Sequence, residues 1–141
     1  MDPITNIIRL FTYAGLIPLI ILNILSLYMP GPWAQWMVFY TAIILSFVAG
    51  MQWGISLELE RSLWVLIFSI LGSLWAWTSL LLPDLSMTFL FQLLGLCFLY
   101  FIDIKLIPED AYPLQYLITR KRATLIFALM LLIQISIQYL K

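Results

Sequence analysis

Asp103 is the only acidic residue that falls clearly inside one of the long apolar runs of this chain. Hydrocarbon cannot solvate its charge, so an ionisable side chain at that depth is rare and raises a functional reading by default. Three structural fates compete with a proton or ligand site. Asp103 can pair with Lys105, reach Arg120 or Arg122 at the start of the following apolar run, or lie at headgroup level. Four amides sit at comparable depth, Asn23, Gln52, Gln92 and Gln134. An unpartnered amide in an apolar medium is costly, so pairing across helices is the expected solution. Gln52, Trp53, Gln92 and Asp103 make the candidate polar or ligand site.

Other chemistry is thin. The chain has no histidine, which removes the commonest general base near neutral pH and the commonest metal and haem ligand. Its single cysteine, Cys97, lies in an apolar run and reads as a buried structural thiol. No nucleophile–base pair, phosphate-cradling Gly loop or metal-spaced cluster occurs. The expectation is therefore not an enzyme, with no cofactor and no metal.

The elements that must position these residues are set by composition. With 64% hydrophobic and 10% charged residues, the chain is far from a soluble domain, of which roughly a quarter is charged. Net charge is zero, so nothing recruits nucleic acid. Apolar runs at about residues 10–28, 34–56, 62–82, 87–107 and 120–140 each approach the ~20 residues needed to cross a bilayer. They are too long and unbroken for barrel strands. The first could be taken for a signal peptide, but it is long and ends in Tyr28-Met29-Pro30-Gly31-Pro32 without a small-residue cleavage site, and reads as a retained helix.

The predicted fold is all-α: one domain over residues 1–141, a bundle of five transmembrane helices. Short connections at residues 29–33, 57–61 and 83–86 make the first four sequential antiparallel neighbours. Ser86 is the expected cap of the fourth, and residues 108–119 form a longer surface loop. Arg9, Arg61, Lys105, Arg120, Lys121 and Arg122 share one face and only Lys141 the other, which predicts the N-terminus inside and the C-terminus outside. Trp33, Trp36, Trp64, Trp75 and Trp77 read as interfacial belts. Ala42, Ser46, Gly50 and Gly54 recur every four residues on the second helix. Such a stripe lets backbones approach closely, as internal packing or as a seat for another protein.

Tyr13-Ala14-Gly15-Leu16-Ile17-Pro18 in the first helix, Tyr40, Ala42, Ile44-Leu45-Ser46-Phe47, Gly50 and Trp53-Gly54 in the second, and Asp103, Pro113, Tyr116 and Arg120 resemble the hallmarks of one family. It is the domain of unknown function 3429, or transmembrane protein 69-like, family, and the resemblance spans essentially the whole chain. Gln52 departs from it, because relatives often carry His or Arg there. The resemblance implies a small multi-pass protein of the bacterial inner membrane, or of the mitochondrial inner membrane in a eukaryote, and implies no activity.

Two functions fit these features. The first is a non-catalytic accessory subunit or assembly partner of a larger, respiratory-type membrane complex, surrounded by membrane lipids. The second is a binder or carrier of a small apolar ligand such as quinone or lipid.

Overall fold

In the computed structural model, which describes residues 3–59 and 63–141, the chain is an all-α bundle, with no strand among the described residues. The elements are α1 (Pro3–Ala14), α2 (Ile17–Tyr28), α3 (Trp33–Leu59), α4 (Leu63–Ser79), α5 (Leu85–Lys105) and α6 (Leu114–Leu140), with a 3-10 turn at Glu109–Ala111. The stretches Pro3–Tyr28, Trp33–Glu58, Leu85–Lys105 and Leu114–Leu140 are long and apolar enough to cross a membrane. α4 is apolar but has 17 residues, about 25 Å at ~1.5 Å per residue. Its end is drawn out by a tight turn in which Leu80, Leu81 and Leu82 bond back three residues each. Large apolar side chains such as Ile43, Phe47, Leu71 and Leu125 point outward, as they must in a protein whose solvent is lipid.

α1 and α2 are one crossing broken in the middle. Pro18 lacks the N–H that would bond the Ala14 carbonyl, and its ring crowds the preceding turn, so the helix opens at Gly15-Leu16 and restarts at Ile17. The Tyr40 hydroxyl of α3 donates to the Gly15 carbonyl at 2.7 Å, supplying a partner at the break. α3 packs against α2, α4 and α5, and α6 packs against α5, α1 and α2, which closes the bundle.

Two expected boundaries move. The last helix starts at Leu114, and the surface loop expected over residues 108–119 shrinks accordingly. Pro113, at the position before the helix, has the fixed φ that admits it, and Leu114 to Ile118 are good helix formers despite the charges that follow. Asp84, rather than Ser86, caps α5, its side chain accepting from the Met87 N–H at 2.8 Å. The loop residues Glu60 and Arg61 lie outside the described residues.

Trp36, Trp64 and Trp77 face outward as belt residues do, but Trp75 turns inward. Its indole stacks on Phe91 with centroids 4.4 Å apart and donates to the Phe91 carbonyl at 2.8 Å. The ring lies over Gly95, where a Cβ would meet Trp75 Cδ1 at 2.8 Å. Gly72 is similarly pressed, by Leu99 and Ala49. Close approach between helices is thus built on Gly72 and Gly95. Of the predicted stripe, Ala42 is buried and Ser46 half-buried, whereas Gly50 and Gly54 face outward with nothing within 4 Å of a Cβ built there. The reading of these two glycines as internal packing is therefore corrected. Four residues turn a helix by about 400°, so a four-residue repeat drifts about 40° per step and some 120° from Ala42 to Gly54. The face of α3 that is packed inward runs instead through Thr41, Leu45, Ala49, Gln52 and Ser56.

Candidate functional site

α5 and α6 meet through a buried ion pair: Nε of Arg120 donates to Oδ2 of Asp103. Of the competing fates for Asp103 this is the one realised, while Lys105 and Arg122 are exposed. Gln52, fully buried on α3, donates from its single amide nitrogen to Oδ1 of Asp103 and to the Leu99 carbonyl, both at 2.8 Å. The carboxylate therefore has a charged donor on one oxygen and a neutral donor on the other, the arrangement that makes burial of an ion tolerable. Because Pro113 starts the helix early, Tyr116 and Arg120 stand one turn apart on the same face of α6, and Nη1 of Arg120 donates to the Tyr116 hydroxyl at 3.2 Å. Tyr112, in the loop before α6, packs its ring 5.0 Å from that of Tyr116. Burial, reinforced by the Asp103 carboxylate, pushes the Tyr112 phenol upward from its ordinary value, so it remains a donor. Its hydroxyl and the Gln52 carbonyl oxygen are buried without a hydrogen-bond partner.

The other predicted site residues are placed elsewhere. Gln92 stands eleven residues before Asp103 on α5, about 16 Å away along the helix, and donates to the Val38 carbonyl at 2.9 Å and to Ser79 Oγ at 3.1 Å. It ties α5 to α3 and α4. Trp53 points outward, away from its neighbour Gln52. Gln134 donates to Ser26 Oγ at 3.0 Å and joins α6 to α2. Asn23 departs from the expected cross-helix pairing, donating instead to Leu19 O of its own helix at 3.1 Å. Cys97, expected to be buried, is exposed on the outer face of α5.

Beside the ion pair lies a cavity of about 170 Å³, bounded by α1, α2, α3, α5 and α6 and open along one side. Its walls are mainly aliphatic and aromatic, including Phe11, Phe47 and Phe127; Tyr116 and Arg120 face it beside the ion pair, and Thr12, Tyr100 and Thr124 add further hydroxyls. A second cavity of about 310 Å³, with Arg9, Tyr112 and Thr119 among its walls, shares Met51 and Tyr116 with the first. The Tyr116 hydroxyl reaches Met51 Sδ at 3.9 Å, so these two side chains form the partition between the cavities. Met51, Tyr112, Tyr116 and Arg120 thus belong to a site of which Gln52 and Asp103 were the legible part. The signal that identifies two of them is the spacing of Tyr116 and Arg120 behind Pro113.

The three stretches that carry the family resemblance converge here. Gly15 accepts from Tyr40, Asp103 receives Arg120, and Gly15, Tyr116 and Arg120 line one cavity. Neither a curated protein sequence nor a solved structure matches the chain. The model of the family described as protein of unknown function (DUF3429) matches residues 4–136, and the chain belongs to that family.

Proposed function

We propose that this chain is a non-catalytic membrane protein that holds a small apolar ligand inside its helix bundle. The observation that carries the reading is the cavity between the broken first crossing and α3, α5 and α6: apolar over most of its wall, with a few polar groups, Tyr116 and Arg120 among them. That is the make-up of small-molecule sites, in which a few polar groups orient a ligand held by apolar contact. α4 contributes nothing to the wall. Purification in a mild detergent followed by native mass spectrometry tests the reading. The protein is expected to carry a bound small molecule, and Ala123→Phe, which projects a ring into the cavity from α6, is expected to remove it while the helical melting profile is kept. Wild-type protein that arrives empty from every gentle preparation would overturn the reading.

A second reading, as accessory subunit or assembly partner of a larger, respiratory-type membrane complex, is favoured by Gly50 and Gly54, which leave open space on the outward face of α3. On that reading the protein migrates with a heavier species on native gels of gently solubilised membranes, and Gly50→Leu releases it. The compartment that suits either role is the bacterial inner membrane, or the mitochondrial inner membrane in a eukaryote. The distribution of basic residues supports the orientation with the C-terminus outside: Arg9, Lys105, Arg120, Lys121 and Arg122 lie toward one end of the bundle and Lys141 at the other. Alkaline phosphatase fused after Lys141 is expected to be active and fused near Asp110 to be silent. The reverse pattern would refute this orientation.

A further inference from the structure

We propose that the ligand presents to this cavity a single six-membered ring bearing a neutral carbonyl, a quinone-type head, and that the Tyr116 hydroxyl is the donor that receives it. The proposal rests on the ligand-binding reading above and specifies its chemistry. Size is the first argument. A dry protein cavity of about 150 Å³ accommodates one benzene molecule, so about 170 Å³ admits one lightly substituted ring. The walls match, since Phe11, Phe47, Tyr100 and Phe127 offer ring faces and edges on several sides.

Charge is the second argument. Arg120 is the ionised group in the wall, and its charge is already balanced by Asp103. An anionic head would be stripped of water without a surplus positive charge to receive it. A cationic head would meet the guanidinium. A neutral head meets neither objection.

The third argument is the hydrogen bonding of Tyr116. Its oxygen accepts from Arg120 at 3.2 Å, which leaves its own proton directed at a thioether 3.9 Å away. Sulfur in a thioether is a weak acceptor, so a carbonyl oxygen entering beside it wins that proton. The contact with Arg120 polarises the hydroxyl and strengthens the donor. Met51 gives way at little cost, being unbranched and adaptable. Among the hydroxyls lining the cavity, those of Tyr100 and Thr124 included, Tyr116 is the one whose proton rests on a sulfur and whose oxygen is polarised by Arg120, and it is the one that distinguishes a carbonyl-bearing ring from a plain hydrocarbon of equal size.

The test uses the full chain in a mild detergent, titrated calorimetrically with three probes: a short-tailed 1,4-benzoquinone, an alkylbenzene with the same tail, and laurate. The benzoquinone is expected to bind about tenfold tighter than the alkylbenzene. Tyr116→Phe is expected to weaken the benzoquinone about fivefold, the usual worth of one net hydrogen bond, and to leave the alkylbenzene unchanged. Met51→Leu, which removes the competing sulfur and keeps the tyrosine, is expected to bind the benzoquinone tighter than wild type, and weaker binding with unchanged alkylbenzene affinity would overturn the role of Tyr116 as the donor. Should Tyr116→Phe fail to fold, the ratio of the two ring probes in wild type and in Met51→Leu decides the matter. Equal affinity for benzoquinone and alkylbenzene overturns the carbonyl assignment while the ligand-binding reading stands. Preference for laurate overturns it in favour of an anionic head. Binding of none of the three removes both.

Discussion

Asp103→Ala is expected to cost about 3–5 kcal/mol of stability, the largest loss of any single polar substitution in this bundle. The carboxylate is almost completely buried and binds α3 and α6 to α5 at one point, through Gln52 and Arg120. Its removal leaves a guanidinium inside the bundle with the Tyr116 oxygen as its remaining hydrogen-bond partner, and an unpaired buried charge is far more expensive than an absent pair. Arg120→Met is expected to be comparably harmful, since Asp103 keeps only the Gln52 amide. The double variant Asp103→Asn/Arg120→Gln, which removes both charges and keeps hydrogen bonding, is expected to lose much less than the sum of the single charge removals. Reversible unfolding in a graded SDS–detergent mixture measures all of these. Additive losses would show that the two groups do not act as a pair.

The second large effect concerns helix approach. Gly95→Ala is expected to destabilise by about 1–3 kcal/mol, because the new methyl group meets the Trp75 indole, which is rigid and fixed by its bond to the Phe91 carbonyl. Gly95→Leu is expected to prevent α4 and α5 from docking. Gly72→Ala is expected to be milder, since the nearest atom is the end of the Leu99 side chain, which can rotate away, and the fixed Ala49 Cβ stands at 3.3 Å. Gly50→Ala and Gly54→Ala are expected to be neutral or to stabilise by up to about 1 kcal/mol, the ordinary gain of alanine over glycine in a helix. Thermal denaturation of the purified chain ranks the four. If Gly50→Ala were as damaging as Gly95→Ala, the outward orientation of that part of α3 would be wrong. If Gly50→Leu left the isolated chain intact but freed it from a heavier assembly in membranes, that face would be the seat of a partner.

The helices are legible in the sequence because lipid leaves so few ways to satisfy a backbone that run length alone nearly defines them. Boundaries are less so. Arg120, Lys121 and Arg122 read as the edge of the membrane and therefore as a helix start, yet α6 begins six residues earlier at Leu114, and its first turns carry Tyr116 and Arg120 to the site. That shift is why Arg120 stands among the alternatives for Asp103 in the sequence and Tyr116 is absent from the candidate site. The small-residue stripe misleads because a repeat of four is not the period of a helix. The genuine contact glycines, Gly72 and Gly95, have no repeat to announce them, and only the third dimension shows which aromatic or leucine lies above each. The destinations of Gln52 and Gln92 on other helices are likewise set by packing across 47 to 54 residues of chain, which no local pattern encodes.

The bond between Gln134 and Ser26 spans 108 residues, and Lys141 reaches the Ser26 carbonyl across 115. During synthesis α2 therefore enters the membrane long before the helix that will cover its polar face exists. At translation rates of ~5–20 residues per second, the interval is roughly 5–20 s. Through that time Ser26 has neither α6 nor bulk water beside it, and the insertion machinery or surrounding lipid must shield it. α6 is the helix that seals α2, so this side of the bundle can close only after the helices between them in the chain have been delivered.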